Sequence, residues 1–180
     1  MGQQRSELAA PACQNELDDH DLLVIAEECE RIGSIQGVSA ARKLAESHTH
    51  LGRLRSALRC KSGVVRRKVM YLLCIHEPEQ VLGDIALVLA NDPCPVVRHE
   101  AAFFLGALKL HGAVTHLEKA LLNDEEEIVR HEAAEALGDL GDIDALPALE
   151  RALQDHSFVV RRTVEMAIEQ LRPATLQQNL

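Results

Sequence analysis

A Val-Arg dipeptide returns along this chain at nearly constant intervals: Val65-Arg66, Val97-Arg98, Val129-Arg130 and Val160-Arg161 stand 32, 32 and 31 residues apart. A period of that length means that one supersecondary unit is repeated, so the chain extends by stacking like units rather than by winding dissimilar segments around one centre. Each dipeptide lies near the start of an apolar stretch, namely VVRRKVMYLL, VVRHEAAFFLGAL, IVRHEAAEALGDL and VVRRTVEMAIEQL. The 3.6-residue spacing within these stretches predicts a helix. A second set superimposes between them: LGRLRSALR from Leu51, LGDIALVLA from Leu82, VTHLEKALL from Val114 and LPALERALQ from Leu146. The expectation is an all-α chain, a solenoid of about five helical-hairpin repeats, each opening on its V-R helix and turning into a second one.

Breakers and capping residues fall between the predicted helices at Asp92-Pro93, Asn123-Asp124, Gly141-Asp142 and Asp155, and Pro147 falls at a helix start, where its missing N–H is harmless. The reading divides the chain into a disordered lead at 1–18, a capping helix and degenerate repeat at 19–60, the repeat domain at 61–172 and a flexible tail at 173–180. The capping helix is placed at 22–32 (LLVIAEECERI), and the first helix of the degenerate repeat near 38–47. Because the V-R pattern occurs in every repeat, Arg98 and Arg130 are expected to pair with acidic groups in the stacking interface.

With three Phe, one Tyr and no Trp, a core must come from many Leu, Ala, Val and Ile side chains at close helix contacts. The 28 acidic residues against 19 basic ones give a net charge of -9, which disfavours nucleic acid and favours a partner or substrate with a cationic group. Five cysteines without a CxxC are expected to be reduced thiols in a cytoplasmic protein. No apolar run approaches the roughly 20 residues of a membrane span, and no signal peptide is legible. Phosphate loops, nucleophile elbows and cysteine-histidine pairs are also missing.

Two dipeptides carry the chemistry. His99-Glu100 in VVRHEAAFFLG and His131-Glu132 in IVRHEAAEALG occupy the same phase of consecutive repeats. Equivalent helices of neighbouring repeats run side by side at roughly 8–10 Å, near enough for His99 and His131 to converge on one ion. Two imidazoles and a carboxylate form an open-sided set that suits non-haem iron, whereas a closed zinc site would more often recruit cysteine. His99, Glu100, His131 and Glu132 are therefore the candidate metal ligands; duplication of an inert repeat, or an acidic binding face, is the other reading.

On the helix from Ile128, Val129, Ala133, Ala136, Leu137 and Leu140 form the core side, and His131, Ala134 and Gly138 lie roughly opposite, as do His99, Ala102 and Gly106. An internal helix glycine costs about 1 kcal/mol relative to alanine, so its recurrence predicts a hollow stripe that something approaches, or close packing near the helix end. His76-Glu77 is out of phase with the other pairs. His48, His50, His111, His116 and His156 are expected to be solvated or locally bonded.

These repeats resemble HEAT-like repeat proteins of the phycobilisome-lyase type, and residues 61–172 resemble one half of the deoxyhypusine hydroxylase family, to whose signature the stretch VRHEAAEALGDLGD is similar. That resemblance implies two facing halves around a di-iron centre that uses oxygen to hydroxylate a modified lysine on a translation factor. Carried over, it makes His99, Glu100 and His131 ligands to one iron, while Glu132 lines the site as the catalytic residue that holds the cationic amine. With two His-Glu pairs where the family has four, the resemblance implies a homodimer, completing an iron-dependent monooxygenase of a protein side chain or another amine-bearing substrate. The alternative is a non-catalytic HEAT-repeat adaptor or assembly factor on which His99 and His131 are ordinary surface residues.

Overall fold

The computed structural model describes residues 48–76, 78 and 80–172. The expected lead, the helices at 22–32 and 38–47, Glu77 and the tail at 173–180 lie outside the described residues. Eight α-helices follow one another within them: α1 (His48–Ala57), α2 (Gly63–His76), α3 (Leu82–Asn91), α4 (Pro95–Ala107), α5 (Val114–Asn123), α6 (Glu127–Leu140), α7 (Leu146–Ala152) and α8 (Phe158–Leu171). The V-R dipeptides fall in α2, α4, α6 and α8. These four helices stack in one layer, and α3, α5 and α7 stack behind them.

The repeat phase differs from the expected one. The tight hairpins join α3 to α4, α5 to α6 and α7 to α8, so a V-R helix closes its unit instead of opening it. Turn length is the physical reason for the first two. Residues 92–94 and 124–126 are turns too short to do anything but reverse the chain against the helix just completed. The connections at 108–113 and 141–145 form 3-10 turns at His111–Ala113 and Ile143–Ala145 and carry the chain on to the next unit, whereas 153–157, equal in length to 141–145, forms none and reverses the chain.

Leu73, Ile85, Leu105, Leu117, Leu121, Leu137 and Leu149 are buried within one continuous apolar cluster. α8 has a side-chain cap, Ser157 Oγ accepting from the Val159 and Val160 amides, and α6 ends on Gly141 at φ 70°, the left-handed conformation that glycine adopts without strain.

The V-R arginines bind the stack together, as expected from their recurrence. Arg66 grips Asp92 with two charge-assisted hydrogen bonds of 2.6 and 2.7 Å, Arg98 grips Asp124 at 2.8 and 2.8 Å, and Arg130 grips Asp155 at 2.7 and 3.2 Å. In each case Nη1 also donates to a carbonyl of the turn preceding its own helix: Cys60 and Lys61, Asp92, or Asp124 and Glu125. The aspartates in turn accept the amides of Cys94, Glu126 and Ser157, the residues that cap α4, α6 and α8. One guanidinium thus ties its own turn to the next, which fixes the angular step from repeat to repeat. Fork geometry on a carboxylate needs arginine, not lysine.

The hollow stripe is not there. Ala102, Ala134, Gly106 and Gly138 are all buried. A Cβ on Gly106 would lie 2.8 Å from Ala136 Cα, and one on Gly138 would lie 3.0 Å from Ala167 Cα. The glycines let α4 approach α6, and α6 approach α8, almost backbone to backbone. Helical periodicity assigned α6 a single core side, whereas a helix inside a solenoid layer is covered by a neighbour on each flank as well as from behind.

Candidate metal centre

After burial on three sides, α6 keeps one open stripe: Ile128, His131, Glu135 and Asp139, spaced by three and four residues. The matching stripe of α4 carries His99 and Phe103. The Arg98 and Arg130 clasps precede His99 and His131 by one residue, so the elements that set the repeat step also set the histidines.

Adjacent residues on a helix diverge, and neither histidine meets the glutamate of its own dipeptide. His99 Nε2 instead lies 3.0 Å from Glu132 Oε2, across the α4–α6 contact. The same step relates Arg67 to Glu100 at 3.0 Å, one repeat earlier, and His131 to Thr163 at 2.7 Å, one repeat later. His131 Nε2 is 3.7 Å from Glu135 Oε2 on the next turn. Donor atoms of His131, Glu132 and Glu135 lie within 4.8 Å of one another. Of the four expected ligands, three gather around the Glu132 carboxylate, while Glu100 is held by Arg67. Glu135 and Thr163 were not singled out from the sequence. The signals existed: Glu135 is one turn from His131, and Thr163 stands at the repeat position of Glu100 and Glu132.

Glu132 is buried, its side chain 10% exposed. Burial first, then the charge of Glu135, push its carboxyl up to about 7, against an opposing pull from His131; Asp139 and Glu100 add to the rise. A carboxylate so poorly compensated, beside two imidazoles and a second carboxylate, fits a divalent cation.

The same strain makes a prediction for the metal-free protein. Glu132 holds its proton more tightly folded than unfolded, so stability is lost as pH rises from the ordinary value of 4.5 through about 7. Glu132→Gln, which does not ionise, should stabilise the metal-free chain at pH 8 by about 1–3 kcal/mol and have little effect at pH 4. Urea unfolding at the two pH values measures the difference. Equal effects at both would show that Glu132 ionises without penalty.

The family model for HEAT repeats matches residues 51–138 and 84–169. No curated protein sequence matches. Among solved structures, human deoxyhypusine hydroxylase in complex with glycerol is 34% identical with a TM-score of 0.61, over 67% of this chain and 43% of that one. The chain therefore spans less than half the length of that enzyme, and the residues matched by the HEAT-repeat model include both His-Glu pairs. The chain belongs to the HEAT-repeat family, an α-solenoid similar to part of a deoxyhypusine hydroxylase.

Proposed function

We propose that this chain supplies half of an iron-dependent hydroxylase site, which a second copy of the chain completes. The observation that carries the reading is the buried Glu132 carboxylate, bracketed by His99 of one repeat and by His131 and Glu135 of the next. The likeness to deoxyhypusine hydroxylase supports the general kind of activity.

His99, His131 and Glu132 hold the metal, with Glu100 as the fourth member of the two pairs, held in place by Arg67. Iron held there supplies the oxygen-activating chemistry of a hydroxylase. Glu135 and Asp139, both exposed along α6, extend the negative stripe past the histidines and orient a substrate through its cationic amine. Of the 11 large apolar side chains exposed among the described residues, nine sit on the V-R helices that carry the site. A second copy facing that layer covers them, excludes water and brings four His-Glu pairs around two irons.

Anaerobic reconstitution of the full chain with Fe(II), followed by metal quantitation and sedimentation, tests this. About one iron per chain in a dimer is expected, lost in His99→Ala and His131→Ala with helicity retained. Iron retained at full stoichiometry in both variants, or none bound by the parent chain, sinks the reading. A non-catalytic binding role is favoured by one observation: Tyr71 and Phe103, 44% and 48% exposed, flank Phe104 on the same layer. Under that reading Phe103→Ala weakens partner binding and the histidine variants leave it unchanged.

A further inference from the structure

We propose that Thr163 is a positioning residue that fixes His131 as the tautomer protonated on Nδ1, leaving the Nε2 lone pair free to take a metal ion. The second half of this rests on the metal reading above; the first does not.

Thr163 Oγ1 has two partners, His131 Nδ1 at 2.7 Å and the Val159 carbonyl at 3.1 Å. A hydroxyl has one proton to give, and a carbonyl can only accept. The Thr163 proton therefore goes to Val159, one turn back along α8, and its lone pairs face the imidazole. His131 must donate from Nδ1, so in the neutral ring Nε2 carries no proton. Among the described residues no competing hydrogen bond holds Nε2: the Glu135 oxygen, at 3.7 Å, is beyond hydrogen-bond range. Nε2 lies on the Glu135 side of the ring, and a ring nitrogen of His131 lies within 4.8 Å of carboxylate oxygens of Glu132 and Glu135. Ligating histidines are generally anchored in this way, by the N–H on the nitrogen that does not bind.

The repeat makes the choice of threonine informative. Arg67 and His99 both meet a glutamate of the next repeat, Glu100 and Glu132. At the third step the same contact is kept and the carboxylate is replaced by a hydroxyl. A third glutamate would add negative charge beside Glu132 and Glu135, whereas a hydroxyl orients the ring and adds none.

The test uses the ¹⁵N-labelled full chain without metal, with long-range ¹H–¹⁵N spectra of the His131 ring in its neutral form, and then anaerobic Fe(II) titration. The parent chain and Thr163→Ser are expected to show a protonated Nδ1. Thr163→Val should shift the ring toward the Nε2–H tautomer and weaken Fe(II) binding by about 10-fold or more. An Nε2–H ring in the parent chain, or an unchanged tautomer in a folded Thr163→Val, overturns the proposal. If Thr163→Val does not fold, the comparison of the parent chain with Thr163→Ser still decides, since both must hold Nδ1–H. A protonated Nδ1 in a parent chain that binds no iron upholds the tautomer and overturns the metal reading alone.

Discussion

Asp155→Ala is expected to destabilise the chain by about 3–5 kcal/mol, the usual cost of leaving a buried charge without its partner. The side chains of Arg130 and Asp155 are only 5% and 9% exposed, and among the described residues no other carboxylate pairs with the guanidinium. The variant also loses the acceptor for the Ser157 amide at the start of α8. Urea unfolding should show a lower midpoint with little change in slope. Arg130→Met combined with Asp155→Leu should recover much of the loss, because neither charge then needs solvation. By contrast, Arg162→Ala breaks a pair whose members are 60% and 50% exposed, and should cost under about 1 kcal/mol. If the two single variants behave alike, the clasp is not what holds the stack.

The clasp also sets an acid limit. Burial works to raise the carboxyls of Asp124 and Asp155, but hydrogen bonds from Arg98 and Arg130 and from the Glu126 and Ser157 amides outweigh it, and both lie below their ordinary value of 3.8. A carboxylate held low when folded contributes stability above that value and loses it as pH falls through the folded value. Acid unfolding should accordingly begin below about pH 4 and steepen as these two aspartates protonate.

Periodicity made the helices and the arginines legible, because a residue type recurring at one phase must meet the same neighbours in every unit. It could not give the phase of the hairpin. Both helices of a unit are amphipathic in the same way, and only the short turns at 92–94 and 124–126 decide which two pack most tightly. The metal-competent residues were legible as types, and their pairing was not. The dipeptide His99-Glu100 draws the eye to neighbours in sequence, yet side chains one residue apart point some 100° apart on a helix, and the stack joins His99 to Glu132. Thr163 escaped notice because it interrupts the very pattern used to find the others.

Gly106 turns that difference between pattern and packing into a measurement. If its role were to leave a groove for a ligand, Gly106→Ala would gain about 1 kcal/mol of helix propensity and lose nothing in the metal-free protein. The structure requires the reverse. The added methyl would stand 2.7 Å from Ala136 Cβ and 2.8 Å from its Cα, and a backbone atom cannot rotate away. α4 and α6 must separate, at a cost of about 1–3 kcal/mol for overpacking, which outweighs the propensity gain. Gly52→Ala, at an exposed position of α1 with no atom within 4 Å of the new Cβ, should stabilise the chain by up to about 1 kcal/mol and so calibrates the propensity term. The effect of Gly106→Ala should also reach the site. Gly106 lies two turns from His99 on α4, and Ala136 lies one turn from Glu132 on α6, so prising the helices apart lengthens the 3.0 Å contact between His99 and Glu132. Weakened Fe(II) binding in a variant whose mutated residue touches neither His99 nor Glu132 would show that backbone contact between repeats sets the spacing of these two side chains. Stabilisation equal to that of Gly52→Ala would show that α4 and α6 do not approach this closely.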